Sequence, residues 1–157
     1  MKKIVLITAL SFLIFSCKSK SATETKLDSK TQVAMKGNWS ITNVVYPNSD
    51  VIKVTSFEIA DSQCLIGSTW KLISNNNKGN LALTKTGCAA YSTPITWFIN
   101  KEGDFVMKLL DENKSKKLKE GYVLKVASLN ENSFQLIDKI NLAGKSTDVV
   151  YQFTRSN

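Results

Sequence analysis

Gly37-Asn38-Trp39-Ser40-Ile41 marks the point at which a polar, Lys/Ser/Thr-rich leader gives way to the first strand-forming run. Near the other end of the chain, Val149-Val150-Tyr151-Gln152-Phe153-Thr154-Arg155 is the last such run. Each run is apolar at every second position over most of its length, a pattern that predicts a half-buried β-strand. We expect these two runs to be the first and last strands of one sheet that closes on itself.

Between these runs, short strand-like stretches alternate with turn clusters such as residues 47–50 and 75–79. Residues 51–59 are predicted to be one of the strands, and residues 60–66 to hold one short helical turn around Cys64. No long stretch repeats its apolar positions every 3.6 residues, as an amphipathic helix would. Eight or nine short antiparallel strands predict an all-β domain, either a sandwich or an up-and-down barrel.

The two-residue period of a strand separates its inward face from its outward face and so predicts the interior. Val44, Phe98, Val106, Ile137 and Val150 break the alternation. The predicted interior residues are Trp39, Ile41, Trp70, Leu72, Leu81, Leu83, Ile95, Trp97, Ile99, Phe105, Met107, Leu109, Tyr122, Leu124, Val126, Phe134, Leu136, Val149, Tyr151 and Phe153.

The N-terminus carries the features of an export signal. Residues 1–3 are Met-Lys-Lys, and residues 4–15 are apolar apart from Thr8 and Ser11. This stretch is too short for a membrane span, which needs about 20 residues, and matches a secretory signal peptide. Its end, Ile14-Phe15-Ser16-Cys17, resembles the lipobox of bacterial lipoproteins. An ordinary signal peptide that happens to contain Cys17, or a buried helix, is the alternative.

The lipobox resemblance implies that residues 1–16 are removed as a lipoprotein signal peptide and that acyl chains such as palmitate are attached through Cys17. Multiple acyl chains anchor a protein stably to a membrane. Residues 17–36, which are polar and lack aromatic side chains, are predicted to be the lipidated cysteine and a flexible tether. Residues 37–157 form the folded domain. Lys18, where an inner-membrane retention signal would have Asp, favours the outer membrane of the cell envelope.

The net charge of +8 does not by itself indicate a nucleic-acid partner. Four lysines cluster in residues 111–120, but acidic residues are mixed with them and no aromatic side chain lies among them. A surface that binds nucleic acid combines positive charge with aromatic rings on which bases stack. A solvated loop is therefore the better interpretation, contact with anionic lipid head groups is the alternative, and no nucleic-acid partner is predicted.

Two cysteines remain once Cys17 is assigned to lipid. In an exported chain an even pair favours a disulfide, so we predict a bond between Cys64 and Cys88. A reactive or metal-binding thiol is less favoured, because the chain has no His and no Cys-x-x-Cys motif.

Catalysis finds little support in the sequence. The absence of His excludes Ser-His-Asp and Cys-His catalytic arrangements, and no Gly-rich phosphate-binding loop is present. The carboxylates are scattered over predicted turns, with no spacing that pairs them for acid–base chemistry. The sequence therefore predicts no enzyme, no metal and no cofactor.

The order of three features resembles lipocalin-like lipoproteins of bacteria. They are the Gly-x-Trp formed by Gly37 and Trp39, the basic Arg155 at the end of the last strand, and the stretch from Cys64 through Trp70 to Cys88. The resemblance implies a barrel closed at one end and open at the other, holding a small apolar molecule. It also implies that Arg155 packs across Trp39 and plugs the closed end.

Trp97, Met107, Leu124 and Leu136 lie in the middle of predicted strands and are the candidate pocket wall. Against a ligand cavity stands the fact that eight-stranded barrels can be filled by their own side chains. The sequence thus leaves three classes open: a carrier of a small hydrophobic ligand, a structural or interaction lipoprotein with a filled barrel, and a protein inhibitor of a hydrolase. It identifies no protein partner.

Overall fold

The computed structural model describes residues 29–47, 53–110, 121–142 and 144–156. The predicted signal peptide (residues 1–16), Cys17, the first part of the predicted tether and the lysine-bearing loop at residues 111–120 lie outside the described residues. Within the described ranges, no helix has the length and apolar character needed to cross a bilayer.

The described chain consists mainly of short strands. The first element is a helix, α1 (Ser29–Ala34), and a 3-10 helix spans Ser62–Leu65. The strands are β1 (Gly37–Val45), β2 (Thr55–Ser56), β3 (Ala60–Asp61), β4 (Thr69–Ile73), β5 (Lys78–Leu83), β6 (Tyr91–Ile99), β7 (Phe105–Leu109), β8 (Tyr122–Ala127), β9 (Ser133–Leu142) and β10 (Lys145–Arg155).

Eight of these strands form a closed barrel in the order β1-β10-β9-β8-β7-β6-β5-β4. The two ends of the chain meet at β1, where Trp39 is paired with Arg155 of β10 on one side and with Trp70 of β4 on the other. All of the barrel pairings are antiparallel. The prediction of an all-β, antiparallel up-and-down barrel is confirmed, with eight strands.

The predicted interior is confirmed as well. Eighteen of the twenty predicted interior residues are buried, and the other two, Tyr122 and Val126, are half-buried. Phe134 stacks on Phe153 with ring centroids 4.5 Å apart, and Trp39 meets Phe134 edge-on at 4.7 Å. Aromatic pairs in such geometries add about 0.5–1.5 kcal/mol beyond the burial of their area. These rings fill the part of the barrel next to the β1–β10 seam.

A β-bulge explains why Val44 breaks the alternation in β1. Ile41 pairs with Phe153 and Asn43 with Gln152, so Thr42 is an extra residue on its strand. An extra residue shifts the phase of the side chains that follow it. Val44 therefore faces inward and is buried.

The strand predicted for residues 51–59 is wrong as a barrel strand. Only Thr55 and Ser56 are in strand conformation, and they pair with β3 in a separate two-stranded ribbon. The physical reason is closure: β1 already pairs directly with β4, so the barrel offers this segment no free edge.

Residues 29–36 do not behave as the flexible tether that was predicted for them. They include α1, and Met35, just after it, is fully buried in the core. The Gln32 side-chain nitrogen donates hydrogen bonds to the Ser74 carbonyl at 3.0 Å and to the Asn77 side-chain oxygen at 2.6 Å. A six-residue polar helix leaves little pattern in the sequence, because its contacts are with residues far along the chain.

Candidate functional site

Arg155 and Trp39 close the end of the barrel on which α1 lies. The guanidinium carbon of Arg155 is 4.1 Å from the centroid of the Trp39 ring, a cation–π contact. Arg155 also donates hydrogen bonds to the carbonyls of Glu131 at 2.6 Å and Lys36 at 3.2 Å. The indole N–H of Trp39 donates to the Met35 carbonyl at 2.8 Å. Arg155 thus links the first strand, the last strand and the segment that follows α1.

Gly37 is placed against the same arginine. Its φ of +131° lies where side-chain-bearing residues are rarely found, and a Cβ built there would be 2.5 Å from the Arg155 Nη1 atom. The structure therefore brings together the three residues, Gly37, Trp39 and Arg155, that the sequence predicted to close the barrel.

The disulfide between Cys64 and Cys88 is present, with the two Cα atoms 5.8 Å apart, and this prediction is confirmed. Cys64 lies in the 3-10 helix and Cys88 in the loop between β5 and β6. The Lys85 ammonium donates to the Gln63 carbonyl at 2.8 Å in the same region. The bond therefore ties the long β1–β4 connection to the loop between β5 and β6.

We call the end of the barrel opposite α1 the mouth. The described part of the β1–β4 connection lies across it and contributes three buried side chains to the core: Val54, Phe57 and Leu65. The resemblance implied an open end here. The structure instead has the β2–β3 ribbon and the 3-10 helix packed over it.

Phe57 is the central side chain of the mouth. Its ring centroid lies 5.2 Å from that of Tyr122, 5.3 Å from that of Tyr151 and 6.2 Å from that of Trp70. Among the buried aromatic residues of the described chain, Phe57 is the one that does not belong to a barrel strand. It is therefore a plug that is not part of the barrel wall.

The turn that carries Phe57 is strained. Phe57 has a φ of 53° and Glu58 a φ of 54°, and the Ile59 N–H donates to the Ser56 carbonyl at 2.9 Å. Positive φ at both central residues is the type I′ pattern, in which Asn and Gly are the usual residues. Sparsely populated backbone conformations cost about 1–3 kcal/mol each and persist where the surroundings enforce them. The buried Phe57 ring supplies that restraint here.

Polar groups are mixed with the aromatic rings of the mouth. The hydroxyls of Ser56 and Tyr151 share a hydrogen bond of 2.6 Å. Burial raises the pKa of the Tyr151 phenol, while the hydrogen bond to Ser56 opposes the rise. Burial, followed by the nearby charges of Glu58 and Asp138, raises the pKa of Tyr122 to about 12. Both phenols therefore stay neutral at physiological pH and both lie close to Asp138.

Asp138 is a functional candidate that sequence reasoning missed. On β9 it continues the inward row of Phe134 and Leu136, and its cross-strand partner is the fully buried Val149. Burial raises the pKa of its carboxyl above the ordinary value. The signal was the two-residue spacing from Leu136, but a carboxylate that follows an apolar run is ordinarily expected to be in solvent.

The four candidate pocket-wall residues are all buried in the single core cluster. Met107 pairs with Trp97 on one side and with Tyr122 on the other, while Leu136 pairs with Tyr151. Leu124 and Leu136 therefore lie on the inward rows that carry Tyr122 and Asp138.

Trp97 is placed differently from the other three candidates. Its ring stacks on Phe105 at 5.6 Å, and its indole N–H donates to the Lys78 carbonyl at 3.0 Å. Lys78 is the first residue of β5 and directly follows Asn77, which is hydrogen-bonded to Gln32 of α1. Trp97 therefore lies toward the closed end of the barrel.

A crevice of about 760 Å³ lies between α1 and the β8–β9 turn, with Arg155 at its edge. It lies outside the barrel wall, so it is not the cavity that the resemblance implies. No group of three or more Cys, Asp or Glu side chains in the described ranges is placed to hold a metal ion.

No protein-family model and no curated protein matches the chain. Among solved structures, an uncharacterized protein from Bacteroides eggerthii is 16% identical, with 77% of this chain and 98% of that chain covered and a TM-score of 0.46. Bovine odorant binding protein in complex with a selenium-containing odorant is 12% identical, with 87% and 78% covered and a TM-score of 0.47. The same bovine protein with its natural ligand is 13% identical, with 85% and 77% covered and a TM-score of 0.44.

Proposed function

We propose that this protein binds a small, largely apolar molecule in the mouth half of its barrel and has no catalytic role. The observation that carries the proposal is the position of Phe57. Its ring contacts three rings of the barrel wall, yet it belongs to a ribbon outside the wall. The space that Phe57 occupies is therefore one that another apolar group of similar size can fill.

Displacing Phe57 requires little rearrangement. The ribbon that carries it has only two paired positions, Thr55 with Asp61 and Ser56 with Ala60. Moving the ribbon leaves the eight barrel pairings intact and releases the strain at Phe57 and Glu58. The cost is the loss of the Ser56–Tyr151 hydrogen bond and of the buried Phe57 ring, which a ligand ring replaces, together with the packing of Val54 and the hydrogen bond that its carbonyl accepts from the Ser62 N–H.

The proposed site is lined by aromatic rings around the position of Phe57 and by apolar side chains deeper in the barrel. Tyr122 and Tyr151 surround the space left by Phe57, and Trp70 lies behind it. Met107, Leu124 and Leu136 form the proposed apolar wall below, and Trp97 forms the floor toward the closed end. Ligand sites of this kind are concave and mostly apolar, with a few polar groups that fix orientation.

A titration with naphthylethanol, a neutral naphthalene-ring probe, tests this site. We expect the probe to bind the purified full-length protein and to change its tryptophan fluorescence, with a protein-free detergent sample as the blank. Phe57→Ala should tighten binding about tenfold, since the probe no longer displaces a ring whose burial is worth about 1.5–3 kcal/mol. Val123→Ala, at an exposed position on β8, is the matched control and should leave the affinity unchanged.

Two results would count against the displacement site. If Phe57→Ala weakens binding, Phe57 is a wall of the site and not its plug. If neither the natural protein nor Phe57→Ala binds naphthylethanol, the carrier function fails. The second candidate then stands: a filled barrel that acts through its outer surface, favoured by the stacked Phe134 and Phe153 and the stacked Trp97 and Phe105.

We also propose that the protein is held at the outer membrane of a bacterial cell envelope by lipid on Cys17. The support is the sequence of residues 1–18 alone. Cys17→Ser should move the protein from the membrane pellet to the soluble fraction, measured by immunoblot after fractionation. Lys18→Asp is the control, since it keeps the lipid and should stay in the pellet. Retention of Cys17→Ser in the pellet would contradict the anchor.

A further inference from the structure

Asp138 is placed where the barrel interior and the mouth meet. Among the described barrel strands, it is the only carboxylate whose side chain is on an inward row. The other aspartate in a barrel strand is Asp148, which directly precedes the inward residue Val149 and therefore lies on the outward face. Because β9 runs away from the closed end, Asp138 is one inward position beyond Leu136 toward the mouth. It is thus on the inward face of the barrel wall, near the mouth.

No hydrogen bond or ion pair to Asp138 is formed within the described ranges, although the chain carries a net charge of +8. The hydroxyl of Tyr151 is engaged with Ser56 instead. Asp138 is half-buried, and even partial burial of a carboxylate costs free energy that a nearby cation offsets. Within the described residues Asp138 is thus an inward carboxylate without a counter-ion, inside a proposed ligand site, and a cationic group on the ligand would supply one.

The surroundings of Asp138 also favour a cation. Tyr122 is close enough to both Asp138 and Glu58 for each carboxylate to disfavour ionisation of the phenol. Two carboxylates, those of Asp138 and Glu58, therefore lie near the ring of Tyr122. The faces of the tyrosine rings carry partial negative charge, and aromatic rings around an ammonium group are a common way to bind it.

We propose that the mouth selects ligands that carry one protonated amine or quaternary ammonium group next to an apolar body. The Asp138 carboxylate is the counter-ion, Tyr122 and Tyr151 face the cationic group, and the apolar body takes the place of the Phe57 ring beside Trp70. This inference rests on the proposed function and adds a ligand class to it.

Three probes that share one naphthalene ring separate charge from hydrophobicity: naphthylethylamine, naphthylethanol and naphthylacetate, which are cationic, neutral and anionic at pH 7. We expect the natural full-length protein to bind the amine at least about tenfold more tightly than the alcohol, because a hydrogen bond to a charged group contributes more than one between neutral groups. The acetate should bind most weakly. Calorimetric titration of each probe, with a protein-free blank, measures the three affinities.

Asp138→Asn removes the charge with little change of shape and should reduce the preference for the amine to within about twofold, with the alcohol unaffected. Asp148→Asn is the matched control, since it removes the same charge from the outward face of the neighbouring strand and should keep the preference. A preference for the amine that survives in Asp138→Asn overturns the role of Asp138.

The natural protein alone already distinguishes the two proposals, so the test does not depend on the folding of a variant. If it binds the alcohol as tightly as the amine, or more tightly, the cation preference is wrong and the apolar binding site stands. If none of the three probes binds, the proposed function fails and the cation preference fails with it.

Discussion

Arg155 lies directly opposite Trp39 across the β1–β10 pairing, with its guanidinium carbon 4.1 Å from the centroid of the indole ring. The contact joins the first barrel strand to the last, which are more than a hundred residues apart in the chain. Because the same arginine binds the carbonyls of Glu131 and Lys36, it also holds the β8–β9 turn and the segment after α1. One side chain therefore joins four parts of the closed end.

Replacing Arg155 tests this role. Arg155→Ala should lower the free energy of unfolding by about 1–2 kcal/mol through lost cation–π contact and packing. Arg155→Lys should lose less, because it keeps the charge over the indole but not the planar, multiply donating guanidinium. Urea denaturation followed by tryptophan fluorescence gives both values. An unchanged midpoint for Arg155→Ala would contradict the proposed closure.

Gly37 and Arg155 should be energetically coupled. Gly37→Ala introduces a Cβ close to the Arg155 Nη1 atom and strains a φ of +131°, so we expect a loss of about 1–3 kcal/mol. In the Arg155→Ala background only the backbone strain remains, so Gly37→Ala should cost less there. The two single variants and the double variant, compared by urea denaturation, measure the coupling. If the losses of the two single variants add up to the loss of the double variant, the steric contact between the new Cβ and Arg155 does not affect stability.

The disulfide should stabilise the mouth as well as the fold. The double variant Cys64→Ser/Cys88→Ser should lower the free energy of unfolding by about 3–4 kcal/mol, the chain-entropy value for a loop of this length. Hydrogen exchange should rise first in residues 62–66, which the bond ties to the barrel. Cys17→Ser, which leaves the bond intact, is the control. Equal exchange in these residues with and without the bond would show that other contacts hold the connection.

Asp138→Asn should stabilise the fold at neutral pH. The pKa of Asp138 is higher in the folded state than in the unfolded state, because burial disfavours its charge. The folded state therefore binds the proton more readily, and the natural protein loses stability as pH rises through the folded pKa. Below the ordinary carboxyl pKa both residues are neutral, and the difference should vanish.

Thermal unfolding at pH 7 and at pH 3 measures this effect, with Asp148→Asn as the control on the opposite face of the sheet. A gain for Asp138→Asn at pH 7 that disappears at pH 3 is the expected result. A loss of stability at pH 7 would mean that the carboxylate is paired in the folded protein, which would also remove the reason for a cationic ligand.

The sequence predicted the barrel wall well because its signal is local. Every second residue of a half-buried strand is apolar, so Trp70 and Leu72, or Phe105 and Met107, indicate their inward face without knowledge of their partners. The pairing of Cys64 with Cys88 was also predictable, since no other partner remained once Cys17 was assigned to lipid. The bulge at Thr42 was visible only as a break in alternation at Val44.

The mouth was not predictable, for a physical reason. Phe57 lies in an apolar run that resembles a strand, and it becomes a plug only because the barrel is already closed by the pairing of β1 with β4. Asp138 follows the inward phase of β9, but its proximity to Tyr122 and Tyr151 depends on residues of other strands. Helix α1 was not predictable for the same reason, since the Gln32 side chain forms hydrogen bonds with residues more than forty positions away.

The sequence by itself determined an all-β chain, the inward residues of its strands and the disulfide pair, because each depends on local spacing or on elimination among few residues. Only the tertiary structure decided which side chains meet at the mouth and that Asp138 lies close to Tyr122 and Tyr151. Those relationships depend on how separate strands are registered around a closed ring, and register is a property of the whole barrel and not of any one segment.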